Sequence, residues 1–202
     1  MTFQIDGIKK RQPEEFFTEQ SGQLTVIHLE PVCEDDIAAV TALLNQAYRC
    51  IGGDGGWTNE GGIIAGNRIS EETLRQEIAS KPDSSLLLWK MQSKIRGCVW
   101  MEPITDSTWY LGSLAIDPLL QNCRYGRKLI AAAEQWCSSR KGNTIRLTVL
   151  DVRHTLINWY ERRGYTLTGE TEPFPVEDTR FGIPINSGLR FVYMKKILNH
   201  TR

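Results

Sequence analysis

Three apolar runs stand almost end to end in this chain: SSLLLWKM from Ser84, IRGCVWMEP from Ile95 and TWYLGSLAID from Thr108. Each has strand length and strand composition, and the links between them are short and polar. Antiparallel pairing is the simplest way to join such runs. A helix follows at once, from about Gly126 to Arg140, with Leu129, Ile130, Ala133, Trp136 and Cys137 on one face. Any fold for this chain must therefore place a meander of three strands beside a strand-to-helix crossover.

The flanking segments extend that frame. LTVIHLEP (Leu24 to Pro31) is a strand, and EDDIAAVTALLNQAY is a helix with Asp35 and Asp36 at its positive end. Ser70 has the character of an N-cap, with Glu71 and Glu72 in the first turn of a second helix. TIRLTVLD, YTLTGE and GLRFVYMKKIL are further strands, and HTLINWYERRG is a short helix stopped by Gly164. Gly142 and Asn143 are expected to end the helix before TIRLTVLD. The order implies an α/β (α+β) domain: a mixed, mostly antiparallel sheet of about seven strands with helices on both faces. Residues 1–22 are expected to form a polar extension, and residues 23–202 a single domain.

Bulk properties exclude several classes. The 24 basic and 24 acidic residues cancel, so a general nucleic-acid binder is not expected. No apolar run reaches the length needed to span a membrane, and the first residues lack the apolar core of a signal peptide, so the expected compartment is cytoplasmic. Five widely spaced cysteines with no CxxC pair argue against disulfides and against a zinc site. Most are expected to be small core residues, with Cys123 the exception because it lies in a polar loop.

That loop, QNCRYGR from Gln121 to Arg127, opens the helix that follows the strand meander. A helix start exposes unpaired N–H groups and the positive end of the dipole, which suits an anion. Gly126 would let the backbone approach closely, while Arg124, Arg127 and Lys128 add positive charge. A pyrophosphate fits those properties. An ordinary strand-to-helix turn with solvated arginines fits them too.

LAIDPLLQNCRYGRKLI resembles the acyl-CoA-binding motif of the GCN5-related N-acetyltransferases, Q/R-x-x-G-x-G/A, with Gln121 and Gly126 at its ends and Arg124 where the first glycine is expected. LINWYERRGY, Leu156 to Tyr165, resembles the second signature of that family. The likeness covers roughly Leu24 to Leu198. It implies an N-acetyltransferase that moves an acetyl group from acetyl-CoA to a primary amine, directly and within a ternary complex. It implies that the pantetheine arm lies along Leu114, Ala115 and Ile116. The pyrophosphate would meet the loop from Gln121 through Asn122, Cys123, Arg124, Tyr125 and Gly126 to Arg127. Many members of the family dimerise, and a homodimer is left open here.

Acetyl transfer needs a neutral amine, although a free lysine amine has a pKa near ~10.4. It also needs a donor for the carbonyl oxygen and a proton for the leaving thiolate. By the resemblance Tyr160 faces the cofactor sulfur and is the general acid. Two carboxylates are candidates for the base: Glu102, at the end of a central strand, and Glu60, in the GWTNEGG loop. The same loop would set Trp57 in the acceptor pocket, and the long loop from Glu172 to Gly188 would bring Phe174 and Phe181 to it. No residue has the setting of an activated nucleophile. No histidine stands with a serine or cysteine in a triad pattern, so triad hydrolysis is unsupported. The rival reading is an acyl-CoA-binding sensor or scaffold of the same fold, without transfer.

Overall fold

The computed structural model describes residues 14–18, 25–50, 57–120, 123–178 and 182–198. In chain order the elements are β1 (Glu14–Thr18), β2 (Thr25–Pro31), α1 (Ile37–Arg49), β3 (Ile64–Ala65), α2 (Glu71–Ser80), β4 (Ser85–Met91) and β5 (Lys94–Pro103). They continue with β6 (Thr108–Ile116), α3 (Tyr125–Ser139), β7 (Thr144–Leu150), α4 (His154–Glu161), β8 (Thr166–Pro173), β9 (Ile183–Pro184) and β10 (Arg190–Ile197). Eight of the strands form one sheet in the order β1-β2-β4-β5-β6-β7-β10-β8. Every neighbouring pair is antiparallel except β6 and β7. The sequence leads to seven of these strands; β1 falls within the stretch read as an extension, where its backbone pairs with β2 at the sheet edge.

Local signals account for the helices. Ser70 accepts a hydrogen bond from the Thr73 amide at 3.0 Å, and Glu71 and Glu72 occupy the first turn of α2. Asp36 opens α1: its carboxylate accepts from the Cys33 amide at 3.2 Å and pairs with Lys90 at 2.8 Å. Gly164, at φ +85°, stops α4 as a left-handed residue should. Gly142 plays a different part from the one its position suggests. Lys141, at φ +65°, takes the left-handed turn after α3, while Gly142 is needed for space, since a Cβ there would press on Cys137 and Trp109.

Helices cover both faces of the sheet. One core gathers Ile37, Val40 and Leu44 of α1 and Leu74 of α2 against Leu86, Leu88 and Trp100. The other gathers Leu129, Ile130, Ala133, Trp136 and Cys137 of α3, with Ile157 and Tyr160 of α4, against Leu87, Val99, Ile145 and Leu147. Burying each large apolar side chain contributes about 1.5–3 kcal/mol, which is why the predicted stripe on α3 fixes how that helix lies. Of the five cysteines, Cys98 and Cys137 are buried; Cys33 is exposed like Cys123, and Cys50 is half-buried. Cys33 instead stands at the start of the turn leading into α1, its thiol 3.1 Å from Asp36.

One defect in the sheet positions everything that follows. The parallel pairing of β6 with β7 covers only Thr108–Tyr110 against Thr144–Arg146. Beyond that point the strands separate. On the other side of β6, the register with β5 shifts between Cys98 and Trp100, and Ser113 sits at φ +45°. A bulge bends the strand that carries it and increases its twist. β6 therefore leaves β7, and a gap opens between Leu111–Leu114 and Leu147–Thr148.

Candidate active site

Two cavities matter here, one at the start of α3 and one in this gap. The first, of about 480 Å³, lies at the start of α3 and is walled by Ile116, Leu120, Arg124, Gly126, Trp57 and Trp159. Arg124 precedes the helix at φ +59°, in the left-handed region that a residue with a Cβ occupies at a cost of roughly 1–2 kcal/mol. The backbone thus demands glycine geometry where the family motif has glycine, and this chain meets the demand with arginine. Tyr125 and Gly126 begin the helix, where first-turn amides have no intrahelical acceptor. At Gly126 a Cβ would come within 2.9 Å of the Trp57 ring, so the position tolerates little beyond hydrogen.

Positive charge gathers at this end. Arg127 and Arg163 line the cavity with Arg124. Arg163 stacks on the Trp159 ring, 3.3 Å from its centroid, and donates to the Trp159 carbonyl at 2.5 Å. Burial, together with neighbouring Arg127 and Arg162, pushes its guanidinium down to about 10. Its buried Nε has no hydrogen-bond partner among the described residues. Crowded, partly desolvated cations of this kind suit a polyanion.

Trp57 belongs to this cavity. Its ring stacks on Trp159 with centroids 4.4 Å apart, and it does not line the cavity that holds both candidate bases. Arg153, just ahead of α4, fixes the loop by donating to the carbonyls of Trp57 and, at 3.2 Å, Thr58. Trp57, expected in the acceptor pocket, thus stands in the cavity at the start of α3. A glycine-rich loop has no periodicity from which its path could be read.

The second cavity, of about 420 Å³, occupies the gap itself. Tyr160, 6% exposed, lines it beside Leu114, Leu147 and Thr148. The Tyr160 ring meets Trp159 and Tyr165 edge-on at 5.1 and 5.5 Å. Burial, reinforced by Tyr110, raises its phenol well above the ordinary tyrosine range, so it remains protonated. Among the described residues nothing hydrogen-bonds its hydroxyl. Tyr48, also held protonated by burial, donates to the Leu114 carbonyl at 3.1 Å.

Both carboxylates named from the sequence reach this cavity, but their surroundings differ. Glu60 pairs with Arg49 at 2.6 Å, with the two side chains only 15% and 6% exposed, and Arg153 stands 3.8 Å away. Its backbone also anchors the loop, donating to the Tyr48 carbonyl at 2.7 Å. Glu60 is thus engaged by two guanidinium groups within the protein. Glu102 is more open, pairs with Lys81 at 2.7 Å and accepts from the Trp100 indole at 3.1 Å. A third carboxylate, Glu172, accepts from the Tyr193 hydroxyl, which pushes that phenol up to about 12.

Phe174 is buried in the wall of this cavity, facing Phe191 at 5.6 Å. The loop that carries it is pinned down. β9 pairs with β3, and the Ile185 amide donates to the Ile63 carbonyl at 2.9 Å, so this loop and the glycine-rich one lie against each other beside the cavity. Leu114 lines the gap and Ile116 the first cavity, with Ala115 buried between them on the α1 side. Cys123 is exposed. Gln121, Asn122 and Phe181 lie outside the described residues. Sequence reasoning missed Tyr48, Arg68, Tyr110, Arg153 and Tyr193. Tyr48, Tyr110 and Tyr193 stood inside a helix and two strands read from the sequence, where nothing set them apart from core residues.

The family model described as the Acetyltransferase (GNAT) family matches residues 56–165, more than half of the chain. Among curated proteins none matches. Solved structures with the same fold include Ard1 from Thermoplasma volcanium, 13% identical, covering 85% of this chain and 97% of its own, at a TM-score of 0.62. The ribosomal-protein-alanine N-acetyltransferase of Brucella melitensis is 18% identical over 84% of this chain and 99% of its own, at 0.61. The yncA protein of Salmonella typhimurium, a putative acetyltransferase solved with acetyl-CoA, is 15% identical over 87% and 96%, at 0.60.

Proposed function

The chain belongs to the GNAT acetyltransferase family, and on that premise we propose that it moves an acetyl group from acetyl-CoA directly to a primary amine in a ternary complex. The observation that carries this reading is the parting of β6 from β7 with Tyr160 buried in the gap, protonated and, among the described residues, without a hydrogen-bond partner. The residues present fit the cosubstrate. Gly126 leaves room at the helix start, Arg124, Arg127 and Arg163 supply cations, and among the described residues β6 has no ladder partner on its β7 side beyond Tyr110. When bound, the cosubstrate supplies an activated thioester.

The protein's own groups would do the rest. Tyr160 holds a proton for the departing thiolate, and its isolation leaves the hydroxyl ready for a new partner. Glu102 is the better base of the two, because Glu60 is committed to Arg49 and Arg153. Glu102, near the end of β5, lines the same cavity as Tyr160 and would act through water. Phe174 would contact the acceptor. No activated nucleophile supports a covalent intermediate.

Calorimetric titration with acetyl-CoA, joined to a thiol-release assay over a panel of amines, tests the reading. Micromolar binding, turnover with at least one amine and intersecting initial-velocity lines are expected. Tyr160→Phe should lower kcat by ~10²-fold or more while acetyl-CoA affinity is unchanged. Binding without turnover on any amine would favour a sensor or scaffold instead. Turnover equal to wild type in the variant would remove Tyr160 from the acid role.

A further inference from the structure

The charges around the second cavity are unequal in what they have left to offer. Four cations stand on or beside its wall. Arg49 is paired with Glu60 at 2.6 Å. Arg153 is held by Glu60 and by the carbonyls of Trp57 and Thr58. Lys81 is paired with Glu102 at 2.7 Å. Arg68 differs: among the described residues its guanidinium makes no ion pair and no hydrogen bond, and lies over the Tyr48 ring 5.5 Å from its centroid.

The residue is nevertheless held firmly from behind. Its amide donates to Asn45 Oδ1 at 2.7 Å. Asn45 accepts also from the Ile69 amide, at 3.2 Å, and donates to the carbonyls of Thr41 and Ile69 at 3.0 and 2.8 Å. α1 thus clamps the backbone that carries Arg68. A guanidinium fork aimed into a cavity from a fixed backbone, stacked on an aromatic ring, is suited to a planar carboxylate.

The rest of the cavity narrows the class. Its volume of about 420 Å³ lies within the range of small-molecule sites. Phe174, Phe191, Tyr48 and Tyr110 give it apolar walls, and the β3–β9 pairing lies beside it. The wall carries Glu60, Glu102 and Glu172 beside Arg49 and Arg68. Glu60 pairs with Arg49 and Glu102 with Lys81, which leaves Arg68 to face a carboxylate and Glu172, bonded by the Tyr193 hydroxyl, to face an ammonium, a pairing that a polyamine would match only at the acid.

Resting on the proposed acetyl transfer, we infer that Arg68 recognises a carboxylate on the acceptor, and that the acceptor is a free amino acid with an apolar side chain. The transfer itself is balanced as before. The amine nitrogen forms the bond to the acetyl carbon, the thioester bond breaks, and the proton lost by the amine offsets the one gained by the thiolate.

The test compares thiol release from acetyl-CoA with the standard amino acids, with their carboxamides and with spermidine, for wild type, Arg68→Gln and Arg68→Lys. Wild type should prefer an apolar amino acid over its own carboxamide by roughly 10- to 100-fold in kcat/KM. Arg68→Gln should raise KM for the acid and collapse that preference, and Arg68→Lys should restore part of it. Melting temperature and acetyl-CoA titration check that each variant is folded. Carboxamides or spermidine turned over as well as the acids would overturn the inference while leaving acetyl transfer intact. So would a fall in Arg68→Gln that is equal for acid and amide. If acetyl-CoA is not bound, the proposed function fails and this inference falls with it.

Discussion

The two cavities, one at the start of α3 and one in the β6–β7 gap, are built in different ways. The one at the start of α3 draws most of its chemistry from one stretch of chain: Ile116, Leu120, Arg124, Gly126 and Arg127 lie within a dozen residues. The other takes its wall from α1, the glycine-rich loop, β5, β6, β7, α4, β8 and β10. A helix start needs only local geometry to attract an anion. An acceptor cavity needs side chains from many elements, and its character depends on which of their charges neutralise one another. The first cavity therefore rests on local geometry, and the second on how charges from separate elements pair.

Five substitutions test this contrast, in falling order of expected effect. Gly126→Val strikes the local cavity, where even a Cβ would sit 2.9 Å from the Trp57 ring. Acetyl-CoA affinity should fall by ~10²-fold or more in calorimetry, since the branched side chain crowds the approach to the helix start. Unchanged affinity would mean that Trp57 swings away freely and the packing there is not a constraint.

Tyr160→Phe acts at the boundary. It should cut kcat and leave both acetyl-CoA affinity and melting temperature near wild type, because the hydroxyl has no partner to lose among the described residues.

Glu60→Gln and Glu102→Gln compare two carboxylates of the composite cavity. Glu60→Gln leaves Arg49 without its carboxylate at a position 6% exposed, and breaking such a pair costs about 3–5 kcal/mol. Glu102 is 27% exposed beside a 41% exposed Lys81, so losing that pair should cost about 1 kcal/mol or less. Urea unfolding separates the two. Activity should run the other way per unit of stability lost, with Glu102→Gln impairing kcat in a protein of almost normal midpoint. Equal destabilisation by both would erase the division between a structural and a catalytic carboxylate.

Arg124→Gly should have the smallest effect. It relieves a left-handed arginine but raises the freedom of the unfolded chain, so stability should move by no more than about 1 kcal/mol. Acetyl-CoA binding should weaken modestly and become less sensitive to salt, as expected when one cation leaves an anion site.

Several features were legible because they are local. The meander of β4, β5 and β6, the apolar face of α3, the Ser70 cap and the Gly164 stop all follow from spacing or from a single residue's conformational range. The start of α3, with Gly126 and its neighbouring arginines, was legible for the same reason. Where local signals were ambiguous, the reading went astray. Gly142 has the look of a left-handed cap, but Lys141 takes that conformation and Gly142 answers the closeness of Cys137 and Trp109. Trp57 stands in a loop whose sequence permits many paths, and Arg153, almost a hundred residues away, decides which one it takes.

By itself, then, the sequence determined most of the elements, their order and the cationic start of α3, since periodicity, capping and helix dipoles act over a few residues. Tertiary structure alone decided which charges neutralise each other. Glu60 is engaged by Arg49 and Arg153, Glu102 by Lys81, and Arg68 stays open to the cavity. Ion pairing falls off within a few ångströms, and only the folded chain brings side chains from separate elements within that distance.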